Sequence, residues 1–144
     1  MAEMKTAKYI REAPTRPSNH KEVTSPIPTL TSDETYGNEG FQMYWEAVTV
    51  PFIMNPAPPH QHPFTQYLIF LGGDITNLTD LGGVVELTLS EDGKNLEKHI
   101  ITRATTVYIP AGLYHCPLEF TKVTRPILFI DMFFAAKYRK QTRA

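Results

Sequence analysis

The chain has 144 residues, of which 42% are hydrophobic and 11% aromatic, so its length suits one globular domain with a buried core. Its formal net charge of −1, with acidic and basic residues interspersed, gives no reason to expect a nucleic acid or a membrane surface as a partner. No apolar run is long enough to cross a bilayer, the first residues lack the apolar core of a secretory signal, and a single cysteine excludes an internal disulfide, so we expect a cytoplasmic protein.

Residues 1–40 differ in composition from the rest of the chain and predict an extended arm. Pro14, Pro17, Pro26 and Pro28 break any long element, and serine, threonine and asparagine fill the gaps between them. The few apolar residues are too sparse to form a core of their own. The arm is therefore expected to stay loose, or to lie across the domain or a neighbouring subunit, where it would brace a dimer.

Residues 41–136 carry the pattern of a sheet protein. Short segments rich in β-branched and aromatic residues predict strands at 43–50, 66–71, 84–90, 97–102, 105–109, 116–120 and 127–134. Glycine and aspartate mark a loop at 72–83 and a hairpin turn at 91–94. With no long helical pattern, these elements predict an antiparallel sandwich or barrel. The tail at 137–144 is expected to be a short helix or frayed.

Two short segments contain the chemistry that the sequence makes most visible. His60 and His62 are two residues apart on a strand-like stretch, so their side chains point the same way, and Gln66 keeps that parity. A third histidine, His115, follows the turn signal Pro110-Ala-Gly. Imidazole is a common ligand of divalent transition metals, so the pattern predicts a metal site with Gln66 as a possible fourth ligand.

The spacing of these residues resembles the two motifs of the cupin superfamily. The first has the form His-x-His-x3-Gln-x6-Gly, with glutamine in place of the usual glutamate, and is given by His60, His62, Gln66 and Gly73. The second has the form Pro-x-Gly-x2-His and is given by Pro110, Gly112 and His115. The chain is also similar to a group of small single-domain bacterial cupins without a settled activity. The resemblance implies an all-β cupin fold, a double-stranded β-helix or jelly-roll barrel in which the two motifs meet at one end.

Three positions depart from that pattern. The glycines that open the two motifs fall on Met54 and Ala104, and the asparagine that closes the second falls on Glu119. Glycines of this kind serve turns, so their loss casts little doubt on the fold. The change from glutamate to Gln66 concerns the metal, because three neutral histidines and an amide leave the site a charge near +2. We expect weaker metal binding, stronger Lewis acidity and attraction of anionic substrates, unless Gln66 only bonds a histidine or a bound water.

Other polar residues have competing interpretations. Glu119 lies four residues after His115, so on a regular strand it would face the metal as a general base or a replacement ligand. Its neighbours Leu118 and Phe120 have the apolar parity of that strand, which requires either a bulge after His115 or two covered faces. Cys116 is expected on the face opposite His115 as a small core residue. The two remaining histidines, at positions 20 and 99, are expected to be structural or on the surface.

The sequence therefore predicts a cupin that binds one divalent transition metal, whether Fe, Mn, Ni, Co, Cu or Zn. The preferred function is a small-molecule metalloenzyme of dioxygenase, isomerase or lyase type acting on an oxygen-bearing, anionic substrate. The alternative is a non-catalytic module that binds or senses a small ligand, because fold alone does not select a reaction. Exposed sheet edges and the resemblance predict a homodimer.

Overall fold

The computed structural model describes residues 4–135 and the backbone of residues 141–142, and strands dominate this part of the chain. A 3-10 helix at Ala7–Tyr9 precedes them, and no described helix is long and apolar enough to span a membrane. The strands are β1 (Thr15–Arg16), β2 (Ile27–Ser32), β3 (Phe41–Val48), β4 (Phe52–Asn55), β5 (His60–Gln61), β6 (Gln66–Gly72), β7 (Gly83–Ser90), β8 (Glu97–Ile101), β9 (Thr105–Ile109), β10 (Tyr114–Val123), β11 (Ile127–Phe133) and β12 (Gln141–Thr142).

The strands form two antiparallel sheets. The first has the order β1-β2-β3-β11-β6-β9, and the second has the order β12-β5-β10-β7-β8, with β4 also paired to β10. Strands that are distant in sequence lie side by side, as in the pairing of β11 with both β3 and β6. This arrangement confirms the predicted all-β jelly-roll class.

The core lies between the two sheets and follows the period of two that a strand imposes. Phe70 of β6 and Phe129 of β11 are opposite each other in the first sheet, and both are fully buried. Phe120 of β10 reaches them from the second sheet, with ring centroids 6.1 Å from Phe70 and 6.0 Å from Phe129. Burying a side chain of this size contributes about 1.5–3 kcal/mol to the free energy of unfolding, so this aromatic cluster stabilises the packing of the two sheets.

The described part of the predicted arm, residues 4–40 and here called the N-terminal segment, lies on the barrel. Strand β2 pairs with β3, and β1 pairs with β2 with Arg16 opposite Ile27. Val23 and Ile27 are buried among the core residues. The few apolar residues of the segment are therefore enough to hold it on the barrel, because the barrel strands supply the rest of the core. Strands β1, β2 and β4 have no counterpart among the strands predicted from the sequence, and β5 was expected only as a strand-like stretch, because proline interrupts or flanks each of them.

The other predicted strands agree with the structure to within a few residues, and the predicted hairpin turn joins β7 to β8. The long loop after β6 depends on its glycines, because a Cβ at Gly72 or Gly73 would overlap the backbone carbonyls of Asp80 or Pro126. In the predicted tail, residues 141–142 form β12 beside β5, while the prediction for residues 137–140 and 143–144 lies outside the described residues.

Candidate metal centre

Three histidines meet at one end of the barrel interior. Strands β5 and β10 pair with His60 opposite His115, and both residues are buried, as is His62. The ring centroids lie 4.7 Å apart for His60 and His115, 4.9 Å for His62 and His115, and 5.1 Å for His60 and His62. The two sequence motifs therefore come together as a triangle of imidazoles.

Backbone carbonyls orient two of these rings. His60 Nδ1 lies 3.1 Å from the Pro58 carbonyl oxygen, and His115 Nδ1 lies 3.0 Å from the Leu113 carbonyl oxygen. In each ring Nδ1 donates its hydrogen, which leaves the lone pair on Nε2. The turn that carries His115 contains Gly112 at a φ of +90°, a conformation that glycine adopts without strain, and Gly112 N donates to the His62 carbonyl.

The third ring and the glutamine have fixed positions as well. His62 stacks on Phe64 with a centroid distance of 4.8 Å and an interplanar angle of 4°. Gln66 Nε2 donates to Asp131 Oδ1 at 2.7 Å, so the amide oxygen points the other way. Among residues 4–135, this buried Oε1 atom has no hydrogen-bond partner. A buried polar atom in this state is a site for a ligand.

Cys116 departs from the position expected from the sequence. The pairing of β10 with β7 shifts register between His115 and Leu118, and Cys116 has a φ of 87°. Because of this bulge, the strand is not regular and His115 and Cys116 do not point to opposite faces. The ligand atoms of His60, His115 and Cys116 all lie within 4.8 Å of one another. Cys116 is buried, as predicted, but it belongs to the wall of the site.

Two carboxyl groups that the sequence did not single out also face this space. Burial, together with the nearby Asp131 carboxylate, raises the pKa of Glu46 to about 7. Asp131 keeps some exposure to the cavity, but loss of bulk water raises the pKa of its carboxyl to about 6, with the Gln66 hydrogen bond acting in the opposite direction. Parity places Asp131 on the same face as Phe129 and Glu46 on the same face as Val48. The opposite faces of both strands are also apolar, so the sequence gives no signal for which face is inside.

The N-terminal segment completes one wall of the same space. Arg16, Asn19 and His20 line it, although the sequence interpretation treated His20 as structural or surface. His20 packs on Phe52 with ring centroids 5.2 Å apart. The resulting cavity has a volume of about 320 Å³, the size of a small-molecule site. It is lined by Arg16, Asn19, His20, Glu46, Met54, Asn55, His60, His62, Gln66, Leu68, His115, Cys116, Leu118, Phe129 and Asp131.

Glu119 lies elsewhere. Leu118 and Phe120 point into the core, and Glu119 lines a separate cavity of about 190 Å³ on the outside of the second sheet, with Glu86 and Lys98. The bulge after His115 is the reason, because it removes the shared parity on which the prediction rested. The structure thus brings together His60, His62, Gln66 and His115 but not Glu119. Its role as a base stays a prediction from the sequence, and the described contacts do not support it.

The residues present fit a divalent transition metal. The donor set combines imidazole nitrogens, an amide oxygen and an adjacent thiol, all buried at one end of a cavity. Imidazole and amide donors suit several first-row metals, so the set does not select among them. The Gln66 oxygen, oriented by Asp131 and without a hydrogen-bond partner among residues 4–135, is the acceptor best placed to contact a cation.

No protein-family model and no curated protein matches this chain. Among solved structures, the chain is similar to oxalate decarboxylase from Bacillus subtilis. The structure of that enzyme at pH 4.6 aligns with a TM-score of 0.59 and 13% identity over 88% of this chain and 29% of that chain. A two-residue deletion variant aligns with a TM-score of 0.60 and 14% identity over 91% of this chain and 30% of that chain. A variant with phenylalanine in place of a tryptophan aligns with a TM-score of 0.61 and 12% identity over 92% of this chain and 30% of that chain.

At this level of identity the likeness shows the fold, which is the cupin double-stranded β-helix. The chain spans less than a third of the length of those decarboxylase chains. One of the similar structures comes from work on the Mn(II) centres of oxalate decarboxylase. Fold and site together define a cupin-fold protein with a candidate metal centre.

Proposed function

We propose that this protein is a small-molecule metalloenzyme in which one divalent transition metal is held by His60, His62, His115 and Gln66. The observation that carries the proposal is that three buried imidazoles line one cavity together with Gln66, whose buried amide oxygen has no hydrogen-bond partner among residues 4–135. The Mn(II) centres of oxalate decarboxylase, a protein of the same fold, support manganese among the candidate metals. A metal bound in this position would act as a Lewis acid on a substrate oxygen.

The neutral ligand set determines the class of substrate. Imidazoles and an amide add no negative charge, so the centre keeps a charge near +2 among buried ligand residues. Such a centre attracts carboxylates and enolates. The reaction is accordingly of dioxygenase, isomerase or lyase type on a small, oxygen-bearing anion.

Glu46 is the residue to which we assign proton transfer in this reaction. Its carboxyl is buried in the wall of the cavity, and burial raises its pKa to about 7 in the metal-free protein. Burial thus favours the protonated carboxyl, which suits a group that accepts and returns a proton. A non-catalytic binding module needs no such group. The presence of a titratable acid inside the cavity therefore favours the enzyme over the sensor or binding protein.

Metal content tests the proposal. Elemental analysis would be done on protein purified without a metal-affinity tag, for the wild type, His62→Ala and Gln66→Glu. His99→Ala is the matched control, because His99 is exposed on β8 and does not line the cavity. We expect near-stoichiometric metal in the wild type and the control, loss in His62→Ala, and tighter binding in Gln66→Glu, because a carboxylate binds a cation more strongly than an amide.

Absence of metal from all four proteins, even after reconstitution, would overturn the metalloenzyme and leave a jelly-roll binding protein. Equal metal affinity in the wild type and Gln66→Glu would remove Gln66 from the ligand set. The homodimer remains a prediction from the sequence. The mass of the protein in solution at micromolar concentration measures it.

A further inference from the structure

The N-terminal segment carries two arginines with similar packing and different use of their donors. The guanidinium carbon of Arg11 lies 4.3 Å from the centroid of the Tyr36 ring, and that of Arg16 lies 4.1 Å from the centroid of the Tyr44 ring. Arg11 Nη2 donates to the carbonyl and the hydroxyl of Thr35, both at 3.1 Å. The Arg16 guanidinium makes no hydrogen bond or ion pair to any residue in 4–135, and Arg16 lines the metal cavity.

The position of Arg16 is set by its surroundings and not by a polar partner. Strand β1 holds its backbone opposite Ile27, which is buried. The Tyr44 ring beneath it is itself held, because its hydroxyl donates to Gln42 Oε1 at 2.7 Å and Gln42 Nε2 donates to the Ala135 carbonyl at 3.0 Å. A guanidinium that lies over an aromatic ring keeps its N–H donors in its own plane, where they remain available to a ligand.

The charges around the cavity leave room for an anion. The Arg16 cation partly opposes the rise that burial causes in the pKa of Glu46 and of Asp131, and all three residues line the cavity. Neither carboxylate lies within 4 Å of the guanidinium nitrogens, since the ion pairs of the described residues are Lys98 with Glu86 and Arg125 with Asp80. The positive charge of Arg16 and of a metal centre near +2 is larger than the negative charge of the two carboxylates. The net charge around the cavity is therefore positive, which favours the binding of an anion.

We infer that Arg16 binds the carboxylate of the substrate, and that the substrate is a small carboxylic acid whose second oxygen faces the histidines. The planar fork of an arginine matches a carboxylate with two parallel hydrogen bonds. The inference rests on the proposed function for the histidine end of the cavity. The N-terminal segment would thereby supply the residue that makes the site selective for carboxylates over neutral molecules.

Calorimetric titration with pyruvate and its neutral counterpart pyruvamide tests this inference. The wild type, Arg16→Gln, Arg16→Lys and Arg11→Gln would be titrated in metal-loaded and metal-free form. We expect Arg16→Gln to weaken pyruvate binding by about 10- to 100-fold and to leave pyruvamide binding unchanged, the range for a charge-assisted hydrogen bond. Arg16→Lys should show a smaller loss, and Arg11→Gln should match the wild type.

Equal pyruvate affinity in the wild type and Arg16→Gln would overturn the inference, as would a wild type that binds pyruvamide as well as pyruvate. Failure of the wild type to bind pyruvate, oxalate or malonate at all would also overturn it. Metal content separates this failure from that of the proposed function. An Arg16→Gln protein that keeps its metal and its pyruvate affinity contradicts only the role of Arg16, whereas a wild type without metal contradicts the metalloenzyme.

Discussion

The two ends of the barrel interior share strands β6, β10 and β11 and differ in the chemistry of the residues that these strands turn inward. On β6, Gln66 lies at the cavity end and Phe70 at the filled end, and on β11 the same is true of Asp131 and Ile127. All four side chains follow the period of two of their strands. A strand can therefore change from packing to binding within four residues without any change in its backbone.

The polar end compensates for its burial with local partners. Gln66 and Asp131 bond to each other across neighbouring strands, and His60 and His115 bond to carbonyls two residues earlier in the chain. The filled end has no such needs, because its aromatic rings stack on one another. The comparison indicates that stability is concentrated at one end and binding at the other, and four substitutions test this division.

The largest expected effect is on stability, from Phe120→Ala at the filled end. Phe120 is fully buried between the sheets, and removing such a ring leaves a cavity that costs about 3–5 kcal/mol of unfolding free energy. Urea unfolding measures this loss, with Phe134→Ala as the control because Phe134 is 44% exposed. Metal content under native conditions should not change. A Phe120→Ala protein that folds but has lost its metal would show that the two ends are not separate.

This division could be predicted from the sequence only in part. The histidines and Gln66 were predictable because two short motifs specify their spacing, and the strand pattern is local. The positions of Glu46 and Asp131 depend on which face of β3 and β11 is inside, and a single acid in an apolar run does not reveal that. Arg16 reaches the cavity through the pairing of β1 with β2, a contact between segments that no local pattern encodes.

The bulge in β10 is one of the two alternatives that the apolar parity of Leu118 and Phe120 left open, and the structure has it. Strict alternation from His115 places Cys116 on the opposite face and Glu119 on the side of the metal cavity, whereas Cys116 lines that cavity and Glu119 lies on the outer face of the second sheet. A register shift between His115 and Leu118 accounts for both differences. Such a shift depends on how β10 pairs with β7, so the choice between a bulge and two covered faces can be made only when both strands are in place.

Glu46→Gln should stabilise the cavity end in a manner that depends on pH. The pKa of Glu46 is raised from an ordinary value of 4.5 to about 7, so the folded protein binds this proton more tightly than the unfolded chain. The ionised form therefore destabilises the fold, and this penalty is absent below the unfolded pKa and complete above pH 7. In metal-free protein we expect Glu46→Gln to gain up to about 3 kcal/mol at pH 8, shrinking towards pH 5.

Urea unfolding of the wild type and Glu46→Gln at several pH values measures this difference. Glu86→Gln is the control, because Glu86 lies on the outer face and pairs with Lys98 at 3.3 Å. Taking the difference between variant and wild type cancels the titration of the histidines to first order. A gain that stays constant with pH would contradict a raised pKa at Glu46.

Substitutions of Asp131 test whether the cavity end of the barrel binds the metal through an oriented Gln66. Asp131→Leu removes the acceptor that orients the Gln66 amide, and outer partners of this kind typically affect metal affinity by about 10- to 100-fold. Asp131→Asn is the matched variant, because it keeps an oxygen acceptor for Gln66 Nε2 and removes only the charge. Competition with a chelator measures the affinity. Loss in Asp131→Leu with retention in Asp131→Asn identifies orientation as the cause, and equal loss in both identifies charge.

The smallest expected effect is that of Glu119→Gln, on the outer face of the strand that carries His115. Glu119 is opposite Glu86 across the pair of β10 and β7, away from the metal cavity. Its neutralisation should leave metal content unchanged and alter the free energy of unfolding by no more than about 0.5 kcal/mol. Elemental analysis beside Asp131→Leu measures the first and urea unfolding the second. Loss of metal in Glu119→Gln would mean that β10 is regular after His115, which would return Glu119 to the cavity and Cys116 to the opposite face.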